Sequence, residues 1–270
     1  MFYNAKNRTL NMGNTSMNYI TFGSGEKNLI MIPGVGDGLR TMKGLAVPMA
    51  LLYGKYAKDY TVYLFSRKNQ MPEKYSTRKM AKDQKEAMDM LGIKNADIIG
   101  VSQGGMIAQH LAIEYPEVVN KLVLVVTAAR KNQYTQAALS GWIEMAKRGD
   151  YRRLMVDSMK KMYTKEYLKK NPWALKLAGK VGKPKSFDRF ITMAYACIYH
   201  DTYEKLDKIQ AETLVIGGEK DRTLGGKASL ELAERIPNAK LKIYPQYGHA
   251  LYEEAKDFNQ VVLEFLQDEK

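Results

Sequence analysis

Apolar residues are distributed along this chain in two alternating regimes. Short, nearly unbroken runs occur at Asn28-Leu29-Ile30-Met31-Ile32, Tyr60-Thr61-Val62-Tyr63-Leu64-Phe65, Asp97-Ile98-Ile99-Gly100-Val101 and Lys121-Leu122-Val123-Leu124-Val125-Val126. Such runs lack a polar face, as strands buried on both sides must. Helical spacings lie between them: around Leu45 to Tyr56, then Met80, Ala87, Met88 and Leu91 on one face, then Ile107 and Leu111 four apart before Pro116. A polar connector, Ser66 to Tyr75, precedes the second of these helices. Strand and helix in alternation imply right-handed crossovers and a parallel sheet. Upstream, residues 1–27 carry two weakly alternating stretches, the second being Met17 to Phe22, which read as antiparallel edge strands.

From Ala128 to about Lys205 the strand pattern stops. Helical spacing covers 136–148, 150–162, 165–179 and 186–200, punctuated by Gly149, Pro172 and the stretch from Gly179 to Pro184. The sheet resumes at Thr213-Leu214-Val215-Ile216-Gly217-Gly218. A helix from Lys227 to Ile236, a strand from Leu241 to Pro245, and a last helix with Phe258, Val261, Val262 and Phe265 inward complete the chain. The expected organisation is an α/β core over residues 1–127 and 206–270, with a helical cap over 128–205 inserted into it.

Composition narrows the picture only slightly. The 270 residues are 45% hydrophobic, which suits one large globular domain with an insertion. Cys197 is the single cysteine, so no intramolecular disulfide can form and a disulfide scaffold is excluded. In its apolar surroundings it reads as a small buried hydrophobe. The N-terminal residues lack the apolar core of a signal peptide, and no run approaches the ~20 apolar residues of a membrane helix. A cytoplasmic protein without membrane insertion is expected.

Charge adds more. The net charge is +13, and residues 128–205 hold 17 Lys and Arg against 7 Asp and Glu. No zinc-finger spacing, helix-turn-helix signature or aromatic RNA-binding strand motif accompanies the excess. No nucleic-acid partner is therefore expected; the basic segment reads as a solvated lid surface, with steering of anionic substrates or acidic surfaces as the alternative.

The chemistry concentrates where runs of the sheet end. Gly100-Val101-Ser102-Gln103-Gly104-Gly105 joins a strand to a helix with no loop between. A serine on such a strained turn tolerates no bulky side chain two residues away on either side, which Gly100 and Gly104 satisfy; this is the form of a nucleophile elbow. A serine hydroxyl is a poor nucleophile at neutral pH, so it needs a base, and the base needs an acid to fix its tautomer. Asp221 in Gly217-Gly218-Glu219-Lys220-Asp221 and His249 in Gln246-Tyr247-Gly248-His249 each follow a predicted strand. Sites in open α/β sheets are built at those strand ends.

With these three motifs in the order Ser, Asp, His, the chain resembles the α/β-hydrolase superfamily, specifically its capped serine esterase and lactonase-like branch. The resemblance covers essentially everything outside the cap. It implies a mostly parallel eight-stranded sheet flanked by helices, with the cap inserted after the sixth strand. It further implies Ser102 as nucleophile, His249 as base and then acid, and Asp221 as orienting carboxylate. The oxyanion donors would be the backbone N–H groups of Gln103 and of Val35 in Pro33-Gly34-Val35-Gly36, a loop that by itself reads as a flexible turn. Two departures stand out: many relatives have His-Gly where Pro33-Gly34 occurs, and many have Asp-x-Arg-Gly-x-Gly where Phe65-Ser66-Arg67-Lys68-Asn69-Gln70 occurs.

The expected activity is hydrolysis of a carboxylic ester or lactone of a small, partly apolar and possibly anionic molecule through an acyl-enzyme. Carbon–carbon bond hydrolysis, thioester, amide or peptide hydrolysis and perhydrolysis stay open on the same triad, as does a non-catalytic ligand receptor on the same fold. Gly34, Trp142, Arg130 and His200 are candidates for the substrate pocket. Glu219 is the alternative acid, whereas His110 reads as a packed or surface helix residue and Asp97 lies at the start of its strand, away from the catalytic edge. No cluster has metal-ligand spacing and the glycine loop lacks the lysine of a phosphate loop, so no metal or organic cofactor is expected.

Overall fold

The computed structural model describes residues 2–268. Eight strands form one sheet: β1 (Lys6–Met12), β2 (Thr15–Phe22), β3 (Lys27–Ile32), β4 (Tyr60–Lys68), β5 (Ala96–Val101), β6 (Val119–Val125), β7 (Glu212–Gly218) and β8 (Lys240–Tyr244). Their spatial order is β1-β2-β4-β3-β5-β6-β7-β8. The first two pairings, β1 with β2 and β2 with β4, are antiparallel and all later ones are parallel. The continuous apolar runs occupy the middle: Leu29 to Ile32, Ala96 to Gly100 and Leu122 to Val125 are all buried. Helices on both faces explain this burial. The helices α1 (Ala46–Leu52), α2 (Thr77–Met90) and α3 (Gln103–Glu114) fall in the first half. Two apolar layers result, one through Met80, Ala87, Ile107 and Leu111, the other through Ile99, Val123, Ile216, Phe258 and Val262.

Between β6 and β7 the chain forms only helices: α4 (Gln133–Lys147), α5 (Tyr151–Met162), α6 (Lys165–Lys170), α7 (Pro172–Leu177) and α8 (Asp188–Ile198). Three of them begin on a side-chain cap, Asn132 accepting from Thr135 N–H, Asp150 from Arg153 N–H and Thr164 from Tyr167 N–H. A third apolar layer through Leu139, Trp142, Leu154, Phe190 and Cys197 seats this insert on the sheet. The remaining helices are α9 (Ala228–Arg235), α10 (Leu251–Glu254) and α11 (Phe258–Gln267). Among the described residues no helix is long and apolar enough to cross a membrane.

Two expectations about elements need correction. The single helix expected over 165–179 is two short ones, because Asn171 precedes Pro172 and is pushed out of the helical region, to φ −122° and ψ 56°. The connector expected from Ser66 begins later, since β4 continues to Lys68, which pairs with Met17 across a register shift in β2.

Candidate active site

The carboxyl ends of β3, β5, β7 and β8 converge on one edge of the sheet. At the end of β5, Ser102 adopts φ 54° and ψ −118°, a conformation costly for a residue with a Cβ. The glycines around it make that turn possible by close approach. A Cβ on Gly100 would stand 2.6 Å from Gly104 O, and one on Gly104 would lie on the carbonyl of Ile32 and 3.0 Å from Pro33 O. The strained residue is held from both sides: Ser102 N–H donates to Val125 O (2.9 Å) and Thr127 Oγ1 donates to Ser102 O (2.7 Å).

The three motif residues, far apart in sequence, meet here. His249 Nε2 stands 3.0 Å from Ser102 Oγ, and His249 Nδ1 stands 2.7 Å from Asp221 Oδ2. A carboxylate only accepts, so this pairing places the ring proton on Nδ1 and leaves the Nε2 lone pair facing the serine hydroxyl. Asp221 Oδ1 accepts from Thr223 N–H (2.7 Å) and Leu224 N–H (2.9 Å). Burial pushes the Asp221 carboxyl up, but His249 and these two N–H groups outweigh it and hold the acid below the ordinary carboxylate value. Ala250 N–H donates to Met162 O (2.9 Å), which fastens the histidine loop to the end of α5.

Beside the serine, Val35 and Gln103 are each the first residue of a helical turn, Val35 of the 3-10 turn Val35–Gly38 and Gln103 of α3. Neither N–H has a carbonyl one turn back to bond, so neither is consumed within its own helical turn. A Cβ on Gly34 would come within 3.3 Å of Ser102 Cβ, so glycine keeps that approach open.

Behind the elbow lies a network that the sequence motifs do not announce. Arg67 is fully buried; one of its terminal nitrogens donates to Pro33 O (2.5 Å) and to Gln103 Oε1 (3.1 Å). It thereby ties the glycine loop to the residue after the serine, using the carbonyl of the proline that lacks an N–H. Gln103 Nε2 continues to Met193 O (2.7 Å) and Cys197 Sγ (3.0 Å). Burial pushes the Cys197 thiol up to about 12, against the opposing pull of Gln103 and Arg67, so it packs as a neutral thiol. Asp37 Oδ2 accepts from Arg67 N–H (3.0 Å) and from Arg189 on α8 (2.7 Å). Burial draws the Arg67 guanidinium down from its ordinary value, with Asp37 opposing.

Above the serine is a cavity of about 490 Å³ that reaches both Ser102 and His249. Its walls are mainly apolar: Leu39 and Met42 after the glycine loop, Leu139 and Trp142 from α4, Met155, Met159 and Met162 along one face of α5. Of the four pocket candidates, Gly34 and Trp142 line it. Arg130 and His200 do not. Arg130 pairs with Glu231 (2.5 Å) and stacks 3.6 Å from the Tyr203 ring. His200 is buried behind the site, its Nδ1 2.9 Å from Thr77 Oγ1 and its ring 5.3 Å from that of His110. Glu219 is exposed, and Asp97 is engaged by Tyr60, Asn120 and Lys121 at the opposite strand ends. Arg67, Asp37 and Arg189 were not among the expected site residues, although Arg67 stands at the arginine of the Asp-x-Arg-Gly-x-Gly stretch; Asp37 and Arg189 have no motif of their own. The cavity-lining methionines of α5 do carry a sequence signal, the spacing of 155, 159 and 162.

Comparison with known proteins agrees with this architecture. Residues 28–256 match the family model for the alpha/beta hydrolase fold. A 2-hydroxy-6-oxononadienedioate/2-hydroxy-6-oxononatrienedioate hydrolase of Pseudomonas putida is 29% identical over 265 residues, 93% of this chain and 91% of that protein. A 2-hydroxymuconate semialdehyde hydrolase, also of Pseudomonas putida, is 31% identical over 72% of this chain and 70% of its own. Among solved structures, the enol-lactonase of Burkholderia xenovorans LB400 superposes with a TM-score of 0.82 at 20% identity, covering 97% of this chain and 100% of the other. Its likeness is one of fold. With its sheet order, its elbow and a matched family model over most of its length, this chain belongs to the α/β-hydrolase family.

Proposed function

We propose that the protein is a serine hydrolase that cleaves a carboxylic ester or lactone of a small, largely apolar molecule through an acyl-enzyme. The observation that carries the reading is the continuous hydrogen-bonded line from Ser102 through His249 to Asp221 at the floor of an apolar cavity. In the first half-reaction Ser102 Oγ bonds to the carbonyl carbon while its proton passes to His249 Nε2. The carbonyl oxygen becomes an oxyanion facing the N–H groups of Val35 and Gln103. Each such donor is worth ~10² to 10³ in rate. The leaving oxygen takes the proton from His249 as its bond to carbon breaks. Water then repeats the sequence on the acyl-serine, releasing the acid and restoring the hydroxyl. Asp221, held ionised by its partners, stabilises the imidazolium in both halves. Leu139, Trp142 and the α5 methionines take the apolar body of the substrate. Arg40 lines the same cavity, is exposed, and has no carboxylate partner among the described residues; it supports a substrate with an anionic end.

A second reading, hydrolysis of a carbon–carbon bond next to a carbonyl, is favoured by the names of the two Pseudomonas putida relatives and by Arg40. It makes heavier demands, since a carbon leaving group must be protonated and a charged, conjugated substrate held by polar groups. Beside the triad the cavity wall offers Asp37, Arg40, Ser158, Tyr163, Thr223 and Tyr252, of which Asp37 is already engaged by Arg67 and Arg189. A panel of p-nitrophenyl esters of increasing chain length, run against a 2-hydroxy-6-oxo-dienoate with a Ser102→Ala control, separates the readings. Serine-dependent ester turnover rising with acyl length is expected. Turnover of the dienoate alone would transfer the site to the second reading, and ester turnover unchanged in Ser102→Ala would refute both.

A further inference from the structure

The outer surface of the insert carries a feature that the hydrolytic site does not use. Residues 165–185 hold seven lysines, at 165, 169, 170, 176, 180, 183 and 185, against the single acid Glu166. All seven are exposed, and among the described residues none is paired with a carboxylate, unlike Lys85, Lys147, Lys161 and Lys240 elsewhere. Set among them are Trp173, Leu177 and Val181, which are 61%, 49% and 68% exposed. Trp173 and Leu177 lie four apart on α7, so they share one face. The segment is anchored rather than loose: Ala178 is buried, and a Cβ on Gly179 would stand 2.9 Å from Arg152 N, so its end packs on the start of α5.

Large apolar side chains left in water amid uncompensated positive charge mark an interaction surface. We propose that this face adsorbs to an anionic phospholipid bilayer, with Trp173, Leu177 and Val181 seated at headgroup depth and the lysines over the acidic headgroups. The charge is complementary to such a surface, tryptophan favours the interfacial layer, and aliphatic side chains gain from the acyl boundary. A nucleic acid would satisfy the lysines but offer nothing to Leu177 or Val181, and single-strand binders line up aromatics for stacking where this face has one. The neighbouring α5, on whose start Gly179 packs, also lines the cavity through Met155, Met159 and Met162. Adsorption would thus bring the apolar pocket close to molecules dissolved in the membrane. The inference is independent of which bond the triad cleaves.

The test is vesicle flotation of the whole protein with phosphatidylcholine alone and with phosphatidylcholine containing phosphatidylglycerol, at low and high salt. Binding to the anionic vesicles only, reversed by salt, with a blue shift of tryptophan emission is expected. Because Trp142 is buried, the shift reports Trp173 and disappears in Trp173→Ala. Each lysine near an anionic surface contributes about fivefold, so Lys169→Glu with Lys170→Glu lowers binding by at least about 25-fold. Trp173→Ala with Leu177→Ala weakens it without altering net charge, and an unchanged melting temperature verifies the fold of each pair. Failure to bind anionic vesicles at low salt overturns the proposal. So does binding that is undiminished in the Trp173→Ala, Leu177→Ala pair, or a preference for a single-stranded oligonucleotide over the vesicles, since either would reduce the face to bare charge.

Discussion

Gly104→Ala tests how the elbow is held, because the consequence follows from one close approach. An alanine Cβ there would fall on Ile32 O and lie 2.6 Å from Ile32 C, where ordinary contact begins at 3.4 Å. The obstacle is backbone, and Ile32 is clamped on both sides of its strand: β3 pairs with β4 at Met31↔Leu64 and with β5 at Ile32↔Gly100. Relief therefore requires the start of α3 and the end of β3 to part by more than about 1 Å, because Ile32 O is the nearer obstacle, against overpacking costs of typically 1–3 kcal/mol. We expect a loss of about 3 kcal/mol, which at roughly 2–4 °C per kcal/mol lowers Tm by about 6–12 °C. The same displacement moves the Val35 and Gln103 N–H groups relative to Ser102, and a 1 Å misplacement costs on the order of 10² in rate. Gly36→Ala is the internal control: it lies in the same glycine loop, yet nothing is within 4 Å of its Cβ position. Circular-dichroism melts and kcat/KM on a p-nitrophenyl ester read both effects. A Gly104→Ala protein within 2 °C and twofold of the parent, or an equal loss in Gly36→Ala, would refute the reasoning.

Four further outcomes follow from the same geometry. Asp221→Asn should leave the fold intact and lower kcat by about 10⁴, as losing the tautomer-fixing carboxylate does in such triads; steady-state kinetics with a melting curve check both halves. Arg67→Met should cost several kcal/mol, because Pro33 O and Gln103 Oε1 lose their buried donor and Asp37 keeps only the backbone N–H of residue 67 while losing a nearby positive charge, and should lower kcat more than it raises KM; urea unfolding and kinetics measure the pair. Burial holds His200 well below its ordinary value, and His110 is lowered by burial too, with Glu114 opposing. The unfolded chain then binds the extra protons, so stability is complete above about pH 6.5 and declines below it by about 1.4 kcal/mol per pH unit for each histidine kept neutral; urea titrations between pH 7.5 and 5 should flatten in His200→Gln. Arg40→Ala should raise KM for a carboxylate-bearing ester severalfold while leaving a neutral ester of equal length unchanged, and raised salt should mimic it on the parent.

The parallel sheet and its elbow were readable from local rules. A strand buried on both faces needs four or more successive apolar residues, and β3, β5 and β6 have them. A residue forced to positive φ between a strand and a helix needs glycine wherever backbones touch, and Gly100 and Gly104 stand there. Each of these is a constraint on neighbours in sequence, so sequence carries it. The order of Ser102, Asp221 and His249 was legible for the same reason, since each follows the end of a parallel strand and such ends share one edge of the sheet.

Side-chain destinations were not legible, because they depend on partners far away along the chain. Arg130 could have faced the site, but Glu231 and Tyr203 draw it to the surface. His200 could have lined the cavity, but Thr77, from a helix 123 residues earlier, holds its ring behind the elbow. Nothing near Arg67 in sequence foretells that its guanidinium would bridge Pro33 and Gln103. Chemistry that rests on backbone turns and strand ends was therefore determined by the order of the amino acids alone. The shape of the cavity, the anchoring of the glycine loop and the exposed face around Trp173 arose only when distant segments packed, because packing decides which direction each long side chain can take.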